Sequence, residues 1–344
     1  MKALITGGSG FFGEVLIKEL LSKNIKCVSF DINEIDDPNI KNKIIYYKGD
    51  IRNIDDIEKC FENIDFVFHC VAQVPLAKSK KKFEEVNING TENILKLCHK
   101  YKVKKFIFLS SSAVYGVPFS NPIKRSTEPN PMEAYGKTKL IAENLCKDFI
   151  KKNLNVTIIR PRTIMGHGRL GIFSILFEWI IRGHNIPVFD GGNNIYQFIH
   201  AKDLAKACYL ATMNDKPDLF NIGTNKFSTM KNVIENLCKY ANTGSKTKSL
   251  PSKYFKIFMK ISSLFNLSPL GDYHSMMYGK TIYFDTSYEQ KTLGWSPKFS
   301  NDEMFIESFN FFKKNMKEIK LNKNYSPHKS KAKEGILKII KYII

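Results

Sequence analysis

The 344-residue chain has few arginines, no cysteines in C-x-x-C spacing and no uninterrupted run of eighteen apolar residues. Each absence removes a class. The seven cysteines stand singly at 27, 60, 70, 98, 146, 208 and 238. They are odd in number and mostly lie in apolar runs, so buried free thiols in a reducing cytoplasm are expected rather than a disulfide framework. Without a long apolar run, no membrane-spanning helix is expected. A first strand beginning at Lys2 leaves no room for a signal peptide. The histidines at 167, 184 and 200 lack metal-ligand spacing, so no metal site is expected. The net charge of +20 comes mainly from lysine. No helix-turn-helix, zinc-finger or RNA-stacking pattern accompanies it, so a lysine-rich solvated surface is expected and not nucleic-acid binding.

What is present is an alternation of short apolar strands and amphipathic helices. Lys2 to Thr6 reads as a strand, Gly7-Gly8-Ser9-Gly10-Phe11-Phe12-Gly13 as a turn, and Val15, Leu16, Leu20 and Leu21 as the inner face of a helix. Glycines there let the backbone approach a pyrophosphate, which the helix N-terminus attracts. The second strand, Cys27 to Asp31, ends in an acid about twenty residues later. A carboxylate there accepts from ribose hydroxyls and repels a 2′-phosphate, which argues for NAD over NADP. Ile44 to Lys48 and Phe66 to His69 give further strands, and a helix containing Asn87 and Ile94 leads to Phe106-Ile107-Phe108-Leu109. The expected fold is α/β: a doubly wound parallel Rossmann sheet, with a smaller, interleaved C-terminal substrate domain.

The chemistry is expected just after that strand. Ser110-Ser111-Ser112-Ala113-Val114-Tyr115-Gly116 lies at its C-terminal end, where open α/β sheets place their sites. Tyr135 and Lys139 are four apart, on one face of a helix. A phenol is a poor base at neutral pH, but a nearby ammonium favours the phenolate. Such a pair can take the proton of an alcohol while a serine hydroxyl holds its oxygen.

From 1 to 300 the chain resembles an extended short-chain dehydrogenase/reductase of the NAD-dependent epimerase/dehydratase type. The resemblance rests on the glycine turn, Gly49-Asp50-Ile51, His69-Cys70-Val71-Ala72, Asn87 to Thr91, the serine segment, Tyr135 to Lys139, and Arg160-Pro161. Further on come Gln197 to His200 with Asp203-Leu204-Ala205, Asn221-Ile222-Gly223 and Leu293-Gly294-Trp295. It implies Ser111, Tyr135 and Lys139 as the catalytic set, with Lys139 on the nicotinamide ribose. It implies NAD contacts at Gly7, Gly10, Phe11, Phe12, Gly13, Asp31, Asp50, Ile51, Cys70, Val71, Asn87 and Pro161. Ser112, Arg162, Thr163, Tyr196 and Gln197 would face substrate, and a homodimer is implied. There are two departures from the family pattern. Dehydratases carry an Asp-Glu pair where this chain has Ser112 and Ala113, so dehydration is disfavoured. Many nucleotide-sugar epimerases carry an arginine where this chain has Tyr196, and lysine would supply no bidentate fork in its place.

The expected division is a NAD-binding domain over 1–165 with 197–224 returning to it, a substrate domain over 166–196 and 225–320, and a basic amphipathic tail over 321–344. The expected activity is oxidation of a secondary alcohol of a sugar nucleotide and return of the hydride. The rivals are a 3β-hydroxysteroid-dehydrogenase-like oxidation of an apolar or lipid-linked alcohol, and a non-enzymatic NAD sensor. Residues 250–270 and 335–344, apolar with interspersed lysines, suggest peripheral contact of an otherwise cytoplasmic protein with the inner membrane surface.

Overall fold

Among the described residues there are eleven strands, most of them short apolar runs: β1 (Lys2–Thr6), β2 (Lys26–Asp31), β3 (Ile45–Lys48), β4 (Phe66–His69), β5 (Lys105–Leu109), β6 (Val156–Pro161), β7 (Thr163–Met165), β8 (Ile186–Phe189), β9 (Phe198–His200), β10 (Asp218–Ile222) and β11 (Thr247–Leu250). The structure is a computed structural model that describes residues 1–74, 80–166, 168, 170–253, 277 and 279–321. Seven strands form one sheet in the order β10-β6-β5-β4-β1-β2-β3, with parallel pairing throughout.

Side chains alternate across this sheet, and both faces are covered, which is why its central strands β1, β4 and β5 are buried and largely apolar. On one face Ala3, Ile5, Phe68 and Ile107 pack against the helices Phe11–Ser22 and Ala201–Ala211. On the other, Leu4, Val67, Phe106 and Phe108 pack against Gly90–Lys100 and Ala134–Lys151. The sheet is wound outward from β1 to β3, then resumes on the other side of β1 with β4. That reversal opens a crevice at the carboxyl ends of β1 and β4.

A further core joins the helices Phe173–Ile181, Met230–Ala241 and Asn301–Leu321 through Phe177, Ile180, Val233, Leu237, Phe305 and Phe309. Two small parallel pairs, β7 with β9 and β8 with β11, flank it. The helix expected around Asn87 differs from a plain α-helix. Glu85–Asn89 is one π-helical turn running directly into Gly90–Lys100. All seven cysteines are free, six of them buried. Among the described residues no helix is long and apolar enough to cross a membrane, and no cluster suits a metal ion. Most of the apolar stretch 250–270, all of 335–344 and His167 lie outside the described residues.

Candidate active site

The turn after β1 is built for close approach. Gly7 has φ +75°, and a Cβ added there would lie 2.9 Å from the Val71 nitrogen. At Gly13 a Cβ would lie 2.1 Å from the Gly7 carbonyl oxygen. The helix that follows is N-capped by Gly10, which brings no side chain to its first N–H groups. Those groups have no intrahelical acceptor and suit an anion. At the end of β2 the Asp31 carboxylate accepts from the Ser9 and Asn33 N–H groups, each at 3.1 Å. Both bonds aim it across the turn. Asp50, beyond β3, is ion-paired with Arg52 at 2.6 Å, and Ile51 beside it is buried.

His69 closes β4. Its Nδ1 lies 2.7 Å from Thr6 Oγ1 and its Nε2 3.0 Å from Thr91 Oγ1. Thr91 donates to the Asn87 carbonyl, so it accepts from His69 Nε2, and burial keeps the ring neutral with its proton on that nitrogen. Burial, with the Lys139 charge adding to it, pushes His69 down to about 3. Cys70, Val71 and Gln73 follow along the crevice. Asn87 accepts from the Gln73 N–H at 2.8 Å and donates to Gln73 O and Thr138 Oγ1.

Ser111 caps a 3₁₀ turn after β5, accepting from the Ala113 N–H at 3.1 Å. Opposite it, Glu133 caps the helix Ala134–Lys151, accepting from the Tyr135 and Gly136 N–H groups at 2.7 and 2.6 Å. This places Tyr135 on the first turn, its ring 6.3 Å from that of Phe83. Lys139, one turn further, is 2% exposed and donates to Leu109 O at 2.8 Å. Burial pushes its ammonium down to about 8, with Cys70, Cys146 and Glu143 pulling the other way. Below these residues Glu143 holds Arg160 through Nε at 2.8 Å and Nη2 at 2.5 Å, and accepts from Ser110 Oγ at 2.5 Å. Arg160 also donates to the Tyr115 hydroxyl, which donates to Asn221.

One cavity of about 740 Å³ takes in most of these groups. It runs from Gly7, Gly10, Phe11, Phe12 and Gly13 past Asp31, Asp50, Ile51, Cys70 and Val71 to Ser111, Ser112, Tyr135 and Lys139. It continues past Pro161, Arg162, Thr163 and Tyr196 into a chamber walled by Phe173, Leu176, Trp179, Val188, Phe198 and Met230. Two residues expected at the site do not line it. Asn87 stands behind Gln73, and Gln197 is fully buried, donating to Thr224 O at 2.6 Å and accepting from the Phe284 N–H. Glu143 and Gln73 went unmarked in the sequence. Glu143 had a signal, since it extends the Tyr135–Lys139 spacing by another four residues along the same helical face. Gln73 had none beyond following the matched His69 to Ala72 segment.

The turn fits a dinucleotide: backbone lies where side chains would block it, a helix N-terminus faces the turn, and an acceptor for ribose hydroxyls stands at its edge. The comparisons with known proteins agree. The uncharacterized protein y4nG of Sinorhizobium fredii is 43% identical, over 99% of this chain and 86% of its own. The mouse sterol-4-alpha-carboxylate 3-dehydrogenase, decarboxylating, is 25% identical over 91% of this chain and 92% of its own. The structure of UDP-glucose 4-epimerase from Bifidobacterium longum in complex with NAD⁺ and UDP superimposes with a TM-score of 0.73. It is 26% identical and covers 92% of this chain and 99% of its own. The model of the NAD dependent epimerase/dehydratase family matches residues 3–223, well over half the chain, and the chain belongs to that family of NAD-dependent enzymes.

Proposed function

We propose that the chain epimerises a secondary alcohol carbon of a nucleotide sugar, with Tyr135 as the base, Lys139 as its electrostatic partner and Ser111 as the group that holds the reacting oxygen. The single observation behind this reading is that all three line the cavity that the glycine turn opens. NAD, when bound, supplies the hydride acceptor and donor. Tyr135 takes the hydroxyl proton and later returns it. Lys139 favours the phenolate by its charge and would hold the nicotinamide ribose. Ser111 donates to the substrate oxygen, whose negative charge grows as the proton leaves. Ala113 brings no acid or base, which disfavours elimination of water. In this reading 1–165 and 197–224 carry the cofactor, and 166–196 with 225–320 close over the sugar. The likeness to the Bifidobacterium longum epimerase that holds NAD⁺ and UDP supports the substrate class.

The test is incubation with UDP-sugars and no added cofactor, following interconversion of the epimers. Tyr135→Phe should lower turnover by about two to four orders of magnitude while leaving NAD binding largely intact. A variant with near-normal rate would refute the assigned base.

A second reading has its own observation. The chamber beyond Tyr196 is walled mainly by apolar side chains, and one relative acts on a sterol. An apolar alcohol oxidised once, with NADH released in stoichiometric amount, would identify that reading.

A further inference from the structure

Glu143 is fully buried and does not line the cavity, yet it bears on both ends of the segment that presents Ser111. Its carboxylate accepts from Ser110 Oγ at 2.5 Å and from Arg160 through Nε and Nη2. Arg160 in turn donates through Nη1 to the Tyr115 hydroxyl at 2.6 Å, and that hydroxyl donates to Asn221 Oδ1 at 2.9 Å. Ser110 and Tyr115 bracket Ser111, so one buried ion pair holds the segment from either side. Ser111 itself accepts from the Ala113 N–H at 3.1 Å. Among the described residues nothing takes its own proton, which is left for a ligand in the cavity.

The helix that carries Tyr135 meets this segment at three points along one face. At Gly136 the contact is backbone against backbone, since an added Cβ would lie 2.5 Å from the Ala113 carbonyl oxygen. At Lys139 the ammonium donates to Leu109 O at 2.8 Å. At Glu143 the carboxylate takes Ser110. A buried ion pair is a weak source of stability, because the desolvation of both ions offsets much of their attraction. What it supplies is a fixed arrangement, since a carboxylate gripped on both oxygens by one guanidinium has little freedom to turn. Here that fixed arrangement is passed on to Ser110 and Tyr115.

We propose that Glu143 is a positioning residue for Ser111: through Ser110 on one side, and Arg160 with Tyr115 on the other, it fixes 110–115 against the helix of Tyr135, so that serine hydroxyl and phenol meet the same substrate oxygen. This rests on the roles given above to Tyr135 and Ser111 and goes beyond them in naming what sets their spacing. A displacement of about 1 Å at such a group costs up to about a hundredfold in rate.

The experiment is a double-mutant cycle on the NAD-loaded enzyme, with UDP-glucose and UDP-galactose as probes and epimer formation followed by chromatography. Glu143→Gln keeps the size of the side chain but sets an amide N–H against an arginine N–H. Ser110→Ala removes one bond and leaves the ion pair in place. Glu143→Gln should lower kcat by about tenfold to hundredfold and Ser110→Ala by less, with KM and the NAD Kd changed less than about threefold. In a Ser111→Ala background the same substitutions should change kcat by less than about threefold, because no hydroxyl remains to be misplaced. Losses that add in full to that of Ser111→Ala, or full rates in both single variants, overturn the inference and leave the epimerase reading standing. A merely structural Glu143 would lower the melting temperature without lowering kcat per folded enzyme, which also overturns it. Should Glu143→Gln fail to fold, Ser110→Ala decides alone in the same cycle. A full rate for Ser111→Ala, or turnover of neither nucleotide by the unaltered enzyme, refutes the underlying reading and the inference with it.

Discussion

Asp31 is the side chain on which the proposed preference for NAD over NADP rests. Its carboxylate is aimed by two backbone N–H groups, and on that proposal its negative charge would repel a 2′-phosphate. Asp31→Ala should weaken NAD and strengthen NADP binding, shifting the ratio of the two Kd values by at least about tenfold, or roughly 1.4 kcal/mol. An unchanged ratio in titrations with both nucleotides would contradict the assignment. Residues of this sort were legible in the sequence, because their positions follow from strand ends and helical spacing. Asn87 and Gln197 were not. Both are polar residues in buried segments, and whether such a side chain turns into the cavity or braces the backbone behind it depends on partners far along the chain. For Gln197 those are Thr224 and Phe284.

At the scale of elements, the turn between β1 and its helix is the least forgiving. The Gly13 Cα lies so close to the Gly7 carbonyl and the Gly8 backbone that a methyl group has no flexible neighbour to displace. Gly13→Ala should weaken NAD binding by more than about tenfold, since the cradle must widen to take the extra carbon. Circular dichroism would establish that the fold survives, and NAD titration would read the loss. Binding as tight as in the unaltered protein would rule out this turn as the pyrophosphate cradle. The large sheet was legible because most of its strands are short, mainly apolar runs. The pairs β7 with β9 and β8 with β11 were not, because each joins segments more than thirty residues apart with little apolar patterning of their own. The π-turn at Glu85–Asn89 differs from an α-helix by hydrogen bonds that reach one residue further along the chain, which hydrophobic spacing does not resolve over so short a segment.

For the molecule as a whole, acid sensitivity follows from His69. In the folded state its pKa is near 3, against an ordinary 6.5. The unfolded chain therefore binds a proton that the folded one refuses throughout that window. The stability this histidine contributes is complete above about 6.5 and is lost as the pH falls, by about 1.4 kcal/mol per unit until the folded value is reached. His69→Gln should be less stable at pH 7, because two hydrogen bonds between β1, β4 and the Gly90–Lys100 helix are altered. Its urea midpoint should nevertheless depend less steeply on pH between 6.5 and 4. Parallel curves for the two proteins would show that the ring accepts its proton without cost.

Glu143 has a wider consequence. The same carboxylate grips Ser110, one residue before Ser111, and Arg160, two residues before Arg162. The ends of β5 and β6 are thereby tied to one carboxylate beneath both strands. A change in the chamber walls leaves that tie untouched, whereas a change at Glu143 would loosen both strand ends at once.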